Sequence, residues 1–321
     1  MQDRKLVSIV IPCYNEEENI NRTFDELLAI SVESDYDFEI IAVNDGSKDD
    51  TWSVIGGYAQ KHGFIKGINL MGNFGQSAAY MAGFDASKGD YVIIVSADLE
   101  IPLENIHKVI GYLDDGYDFV NTHRVGRWGG EKSERAVKSG MANKLISKVS
   151  GVTMQDRGSG MKGFTKTIIQ NLRLYGEMHR FIPDYVSTYR AKMTEFEVAF
   201  KDRDFGESAY KGNKRTIKVM LDLVTLGFML YFARKPFYTM PGRLFGFTGA
   251  VISGIGGLLF SYLVVLKLLG ANIGGRPMLT ISVLMIIVGL QSLMMGMLGE
   301  LMSRVYFESS NRTTYVIRQT V

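Results

Sequence analysis

The chain has 321 residues, a formal net charge of +2 and one cysteine, Cys13. A charge so near zero gives no footing for nucleic-acid binding, and a lone cysteine excludes an internal disulfide and suits a reducing compartment. The length leaves room for a soluble domain of ordinary size plus a further element. Hydropathy shows where that element lies: up to about Tyr210 apolar runs alternate with charged segments, and beyond about Leu244 long stretches are apolar.

Met1 to Leu6 leads directly into a strand and lacks the apolar core of a signal peptide. Leu6 to Pro12 reads as the first strand, and the acids Glu16, Glu17 and Glu18 then open a helix to about Ile30, where the helix dipole favours negative charge. Phe38 to Asn44 is a second strand, followed by an Asp45-Gly46 turn and a helix capped by Asp50 or Thr51. A weaker strand at Gly67 to Leu70 runs into Asn73-Phe-Gly75-Gln76, and Ser77 to Ala86 reads as a helix rich in small residues. The run from Tyr91 to Val95 is β-branched and aromatic, as in a strand buried on both faces, and it stops at Ser96-Ala97-Asp98-Leu99-Glu100-Ile-Pro102. Asp98 and Glu100 thus stand at a strand's C-terminal edge, where ligands bind in open α/β sheets. Two readings fit them: Asp98 caps a helix spanning Leu103 to Asp115, or the two carboxylates share a hard cation that recruits substrate phosphates. Tyr14 and Glu16, Asp45, Asn73, and Asp98 with Glu100 converge on one edge of a doubly wound sheet, which predicts a nucleotide site. No G-x-G-x-x-G follows the first strand and no phosphate-loop lysine motif occurs, so a dinucleotide oxidoreductase and a phosphate-loop ATPase are disfavoured.

A further strand, Tyr117 to Asn121, empties into Thr122-His123-Arg124, and Glu131 to Ser150 reads as a helix carrying Lys132, Arg135, Lys138, Ser139, Lys144 and Lys148. Taken alone, that helix is an ordinary solvated face. Asp156 to Phe164 is broken by glycines and does not resemble core; His179 to Pro183 reads as a loop and Glu195 to Phe200 as a strand. Between Lys214 and Arg243 apolar residues recur at helical spacing beside basic ones, as in helices lying in a membrane interface. Leu244 to Leu266 and Met278 to Leu298 contain no charged residue, and each reaches the roughly 20 residues needed to cross a bilayer core. Small residues recur in the first run and would let a neighbouring helix approach closely. The short link from Lys267 to Pro277 makes a hairpin, and the excess of Lys and Arg outside it places both termini in the cytoplasm. The expected organisation is a soluble domain at 1–212, interfacial helices at 213–243, a transmembrane hairpin at 244–298 (helices about 244–266 and 278–298) and a cytoplasmic tail at 299–321.

Pro12-Cys-Tyr14-Asn15-Glu16, Asn44-Asp45-Gly46-Ser47, Asn73-Phe-Gly75-Gln76 and Ser96-Ala97-Asp98-Leu99-Glu100 together resemble the inverting family-2 glycosyltransferases of the GT-A fold. More narrowly, the chain resembles the polyprenyl-phosphate glycosyltransferases, among them bactoprenol glucosyltransferase, dolichol-phosphate mannose synthase and undecaprenyl-phosphate aminoarabinose transferase. The resemblance covers nearly the whole chain, including the hairpin. It implies a GT-A, mostly parallel α/β sheet flanked by helices, and transfer of a sugar from a nucleotide-sugar, a UDP-sugar being favoured, to undecaprenyl phosphate at the inner membrane. It also implies a homotetramer. Pro12, Tyr14, Glu16, Asp45, Asn73 and Asp98 would then hold the donor, and Asp98 with Glu100 would ligate Mg2+ or Mn2+. Arg124, Arg135, Ser139 and Lys211 would receive the acceptor phosphate, a task suited to the planar arginine fork. Asp156 and Arg203 would be catalytic. An acceptor phosphate is already ionised near neutral pH, so Asp156 has little to do as a base, and positioning or electrostatic roles are equally open. The chain departs from the family's Asp-x-Asp-x-Gln at Ser96 and Glu100, carries Lys162 where arginine is usual, and has Ala209 where lysine is usual, with Lys211 nearby. A non-catalytic nucleotide-sugar or lipid-binding partner would share this fold.

Overall fold

The computed structural model describes residues 4–126, 147, 151–174, 178–201, 241–275, 277–308 and 315–321. Of the predicted basic helix, residues 131–146 and 148–150, of the predicted interfacial segment, residues 213–240, and Arg135, Ser139, Arg203 and Lys211 lie outside the described residues. The chain divides into two compact units, Met1–Leu230 with Thr313–Val321, and Tyr231–Arg312.

The first unit is built on strands β1 (Leu6–Cys13), β2 (Asp37–Asn44), β3 (Ile65–Leu70), β4 (Tyr91–Ile94), β5 (Phe119–Val125), β6 (Lys162–Thr165), β7 (Met193–Ala199) and β8 (Ile317–Thr320), in the order β7-β5-β6-β4-β1-β2-β3-β8. β1 pairs in parallel with β2 and β4, and β2 with β3, while β6 runs antiparallel between β4 and β5. Parallel neighbours need crossovers, and these are supplied by helices α1 (Glu17–Glu33), α2 (Thr51–Lys61) and α3 (Gln76–Ala86), while α4 (Asn105–Asp114) leads from β4 past the position of β6 to β5. Side chains alternate across the sheet, so both faces are buried. Val7, Ile9 and Ile11 join Ile20, Phe24, Leu27, Ile106 and Ile110 in one core. Val10, Ile41 and Val43 join Ala79, Phe84, Phe164 and Ile168 in the other. Each buried side chain of this size contributes about 1.5–3 kcal/mol relative to exposure. α4 begins at Asn105 rather than Leu103, because the chain leaves β4 through an irregular turn that also carries Asp98 and Glu100.

The tail expected at 299–321 carries regular structure where it is described. The second long helix continues to Glu308, and β8 returns to pair antiparallel with β3, Ile68 opposite Thr320. Tyr315 is buried beside it, its hydroxyl donating to Asp85 at 2.9 Å. β8 covers what would otherwise be the open edge of β3, a surface that folded proteins keep from pairing with other chains.

The second unit contains α5 (Pro241–Leu268) and α6 (Pro277–Glu308), two helices long and apolar enough to cross a membrane. Only 17% of the apolar window of either helix is buried within the protein, unlike a soluble core helix. α5 ends in a Schellman turn: Gly270, at φ +86°, donates to the Lys267 carbonyl and Ala271 to that of Leu266, both at 3.0 Å. The helices approach through small residues. A Cβ on Gly249 would come within 2.6 Å of the Gly289 carbonyl oxygen, and one on Gly289 within 2.5 Å of the Ser253 nitrogen.

Candidate functional site

The C-terminal ends of β1, β2, β3 and β4 carry the residues predicted to hold the donor and the metal, and local geometry shows how they are held. Asn15 and Leu99, at the ends of the adjacent strands β1 and β4, both adopt left-handed backbone conformations, φ +56° and +53°. Such conformations are uncommon outside glycine, costly for a buried leucine, and concentrated at functional sites. Leu99 reverses the chain between Asp98 and Glu100; the Glu100 N–H donates to Asp98 Oδ1 at 3.4 Å. Thr23 of α1 ties the same turn from below, its hydroxyl donating to the Ala97 carbonyl at 2.9 Å. Asn15 braces two loops: its N–H donates to Ser47 Oγ, and its Oδ1 accepts from the Lys48 N–H, each at 2.9 Å. Beside it Tyr14 is exposed, Pro12 is half-buried, and Glu16 accepts from Asn19 Nδ2 at 2.8 Å.

Asp45 is buried, and its two oxygens accept the N–H groups of Phe74 (2.7 Å) and Gly75 (2.9 Å). Burial pushes its pKa up, while the two backbone donors pull it down, and burial prevails. Its carboxylate therefore clamps the loop that bears exposed Asn73. Gly46 permits that clamp. It has φ +68°, and a Cβ there would lie 2.4 Å from the Gly72 carbonyl carbon.

Arg124, Glu100 and Asp156 form one buried cluster. Arg124 Nε and Nη2 donate to the two oxygens of Asp156 at 2.7 and 3.0 Å, Nη1 donates to Glu100 Oε2 at 2.7 Å, and Nη2 also reaches the Gly158 carbonyl at 2.7 Å. The side chains of Arg124, Asp156 and Glu100 are only 3%, 11% and 12% exposed. Burial disfavours the guanidinium charge, but the two carboxylates outweigh it and hold the arginine pKa above its ordinary value. The cation thus joins the β4 turn to the glycine-broken segment, a link no local motif announces.

Two residues given no site role from the sequence, Asn121 and Glu195, complete the cluster together with Lys162, which stands where the family has arginine. Glu195 of β7, Asn121 of β5 and Lys162 of β6 lie in one row across the sheet, Asn121 being in register with both of the others. Glu195 and Asn121 bond the Gln155–Asp156 backbone. Arg157 is buried in a second fork with Asp184, at 2.9 and 3.2 Å. No local signal marks Glu195: β7 reads Met-Thr-Glu-Phe-Glu-Val-Ala, so Glu195 stands beside Glu197 in an ordinary polar-apolar alternation.

Lys162 is fully buried and donates to the Ser159 carbonyl. Burial pushes its ammonium down from 10.5 to about 7; Arg124 adds to the lowering, and Asp156 and Glu195 oppose it. Between those two values the native state binds fewer protons than the unfolded chain. Stability should therefore rise with pH from about 7 upward, by at most ~1.4 kcal/mol per unit from this group. Denaturant titrations at pH 6, 7.5 and 9 should show the wild type gaining on Lys162→Met as pH rises. A constant difference between the two proteins would refute this reading of Lys162.

Residues 8–173 match the profile of glycosyl transferase family 2. The chain is similar to the undecaprenyl-phosphate 4-deoxy-4-formamido-L-arabinose transferase of Aeromonas hydrophila, with 36% identity over 99% of this chain and 95% of that one. It is also similar to the dodecaprenyl-phosphate galacturonate synthase of Rhizobium johnstonii, with 33% identity over 98% of this chain and 92% of that one. Among solved structures, glucosyl-3-phosphoglycerate synthase from Mycobacterium tuberculosis with Mn2+ and UDP-glucose superposes with a TM-score of 0.53 at 18% identity, covering 70% of this chain and 79% of that one. That likeness concerns the fold.

Proposed function

Because the chain belongs to glycosyl transferase family 2 and is a glycosyltransferase, we propose that it moves a sugar from a nucleotide-sugar, a UDP-sugar being favoured, onto the phosphate of undecaprenyl phosphate, with inversion at the anomeric carbon. The observation that carries this reading is the extent of the similarity. It spans 99% of the chain in the arabinose transferase and 98% in the galacturonate synthase, so it takes in the two apolar helices together with the site.

The nucleophile, a phosphate oxygen, is already ionised and needs no general base. This agrees with the geometry at Asp156, whose oxygens both accept from Arg124; its role is to orient charge near the reacting carbon. Pro12, Tyr14, Glu16 and Asn73 border the donor pocket, and Asp45 shapes it by fixing the Asn73 loop. Asp98 with Glu100 would hold Mg2+ or Mn2+. Their oxygens suit a hard cation. No group of three or more Asp, Glu, His or Cys side chains fit to hold a metal converges among the described residues, so the remaining ligands would come from the diphosphate and water. Bound there, the ion supplies charge neutralisation at the departing diphosphate. Arg124 would meet the acceptor phosphate by sharing or exchanging one of its carboxylate partners, with Arg135, Ser139 and Lys211 as further anion donors and Arg203 at the reaction centre. The excess of Lys and Arg outside the hairpin supports assigning both termini to the cytoplasm. Assembly as a homotetramer belongs to the same proposal.

The test is a panel of radiolabelled UDP- and GDP-sugars, formamido-arabinose and galacturonate donors included, offered with undecaprenyl phosphate in Mg2+, Mn2+ or chelator. Label should enter the lipid fraction from one donor, and only with divalent ion. Nucleotide binding without transfer from any donor would instead indicate a non-catalytic partner.

A further inference from the structure

We infer that Glu195 is a positioning residue for sugar transfer, acting through Asp156; the inference rests on the reading of Asp156 as the carboxylate at the reaction centre. Glu195 Oε2 accepts the Gln155 N–H at 2.8 Å, and Oε1 accepts the Asp156 N–H at 3.1 Å. Asn121 Nδ2 donates both to Glu195 Oε1 at 2.7 Å and to the Asp156 carbonyl at 2.9 Å. The Asp156 residue is therefore held at its N–H by Glu195, at its C=O by Asn121 and at its carboxylate by the Arg124 fork.

Two observations separate this grip from ordinary loop packing. First, Asn121 is fully buried and its Oδ1 has no hydrogen-bond partner. Turning the amide over would satisfy neither neighbour, since Oδ1 would then face the Glu195 carboxylate and the Asp156 carbonyl. The fold leaves an acceptor unpaired in order to aim Nδ2 at the Asp156 peptide, as happens where geometry is held for function at the expense of stability. Second, Glu195 adds a third carboxylate to a region that already holds Asp156 and Glu100, and Lys162 responds to the charges of both Asp156 and Glu195. An acid that bonds two successive backbone N–H groups can set the direction of the intervening peptide, and hence of the Asp156 side chain and its arginine, without touching substrate. Displacement of a reacting constellation by about 1 Å costs on the order of 100-fold in rate.

The experiment is a double-mutant cycle on the full-length protein in liposomes with Glu195→Gln, Asp156→Asn and the pair. Lipid-sugar formation is measured per folded molecule, with folding followed by thermal unfolding and by UDP affinity. Glu195→Gln should lower kcat by about 10- to 100-fold with the donor KM within about twofold. In the Asp156→Asn background the same change should have no further effect, because its route is already lost. A full, multiplicative loss in that background, or an unchanged kcat for Glu195→Gln, overturns the inference while the reading of Asp156 stands. Full activity of Asp156→Asn overturns that reading, and the inference with it. Glu195→Asp, which keeps the charge but shortens the reach, gives the same test should the glutamine variant fold poorly.

Discussion

Arg124→Met should lose about 3–5 kcal/mol of stability and most of the transferase activity. The methionine fills much of the same space, so the loss is electrostatic. Removing a guanidinium that is 3% exposed leaves Glu100 and Asp156 facing one another without their shared cation, and breaking a buried ion pair from one side typically costs that amount. The Gly158 carbonyl also loses its donor. Arg124→Lys restores a charge but not a fork. One ammonium cannot reproduce the Nε and Nη2 pair on Asp156 while Nη1 holds Glu100, so this variant should recover part of the stability and little of the activity. Denaturant unfolding read beside transfer per folded molecule checks both halves. A methionine variant as stable as wild type would show that the cluster is not held by this cation. Activity falling only with the folded fraction would confine Arg124 to a structural role.

Asp98→Asn should reduce transfer by about 100- to 1,000-fold with the fold intact, the range expected when one preorganised group facing developing charge is removed. Asparagine is close to isosteric and its Oδ1 can still accept the Glu100 N–H. Leu99 can therefore keep its left-handed conformation and the turn its shape. What disappears is one negative charge at the proposed metal and diphosphate site. The loss should appear as weaker Mn2+-dependent UDP binding as well as slower transfer. Wild-type rates with normal metal-dependent binding would remove Asp98 from the site.

Much of the sheet was readable along the chain because parallel strands buried on two faces are nearly continuous apolar runs, and β1, β2 and β4 are of that kind. The turn at Asp98 was readable for a related reason: carboxylates directly after such a run must lie at a sheet edge. The partners of Arg124 were not readable in the same way. Glu100 and Asp156 stand 24 and 32 positions from it, and only the antiparallel insertion of β6 between β4 and β5 brings the three together. Glu195 was hidden more deeply, since its pairing with Asn121 spans 74 positions and depends on the register of β5 with β7. Asp45 presented a different difficulty. Its place at the tip of β2 was apparent, whereas the bonds that aim its oxygens at the Phe74 and Gly75 amides arise from the close approach at Gly46. β8 reads as a polar tail because Ile317-Arg318-Gln319-Thr320 carries little apolar surface; its strand character comes from the open edge of β3.

The central claim is that the sugar leaves a nucleotide for a lipid phosphate. It is tested most directly by reconstituting the full chain in liposomes with its donor and comparing undecaprenyl phosphate with undecaprenol of the same length. The expected product is a divalent-dependent, acid-labile lipid-linked sugar with the phosphate and none with the alcohol. Equal labelling of both lipids, or release of free sugar with no labelled lipid, would contradict it.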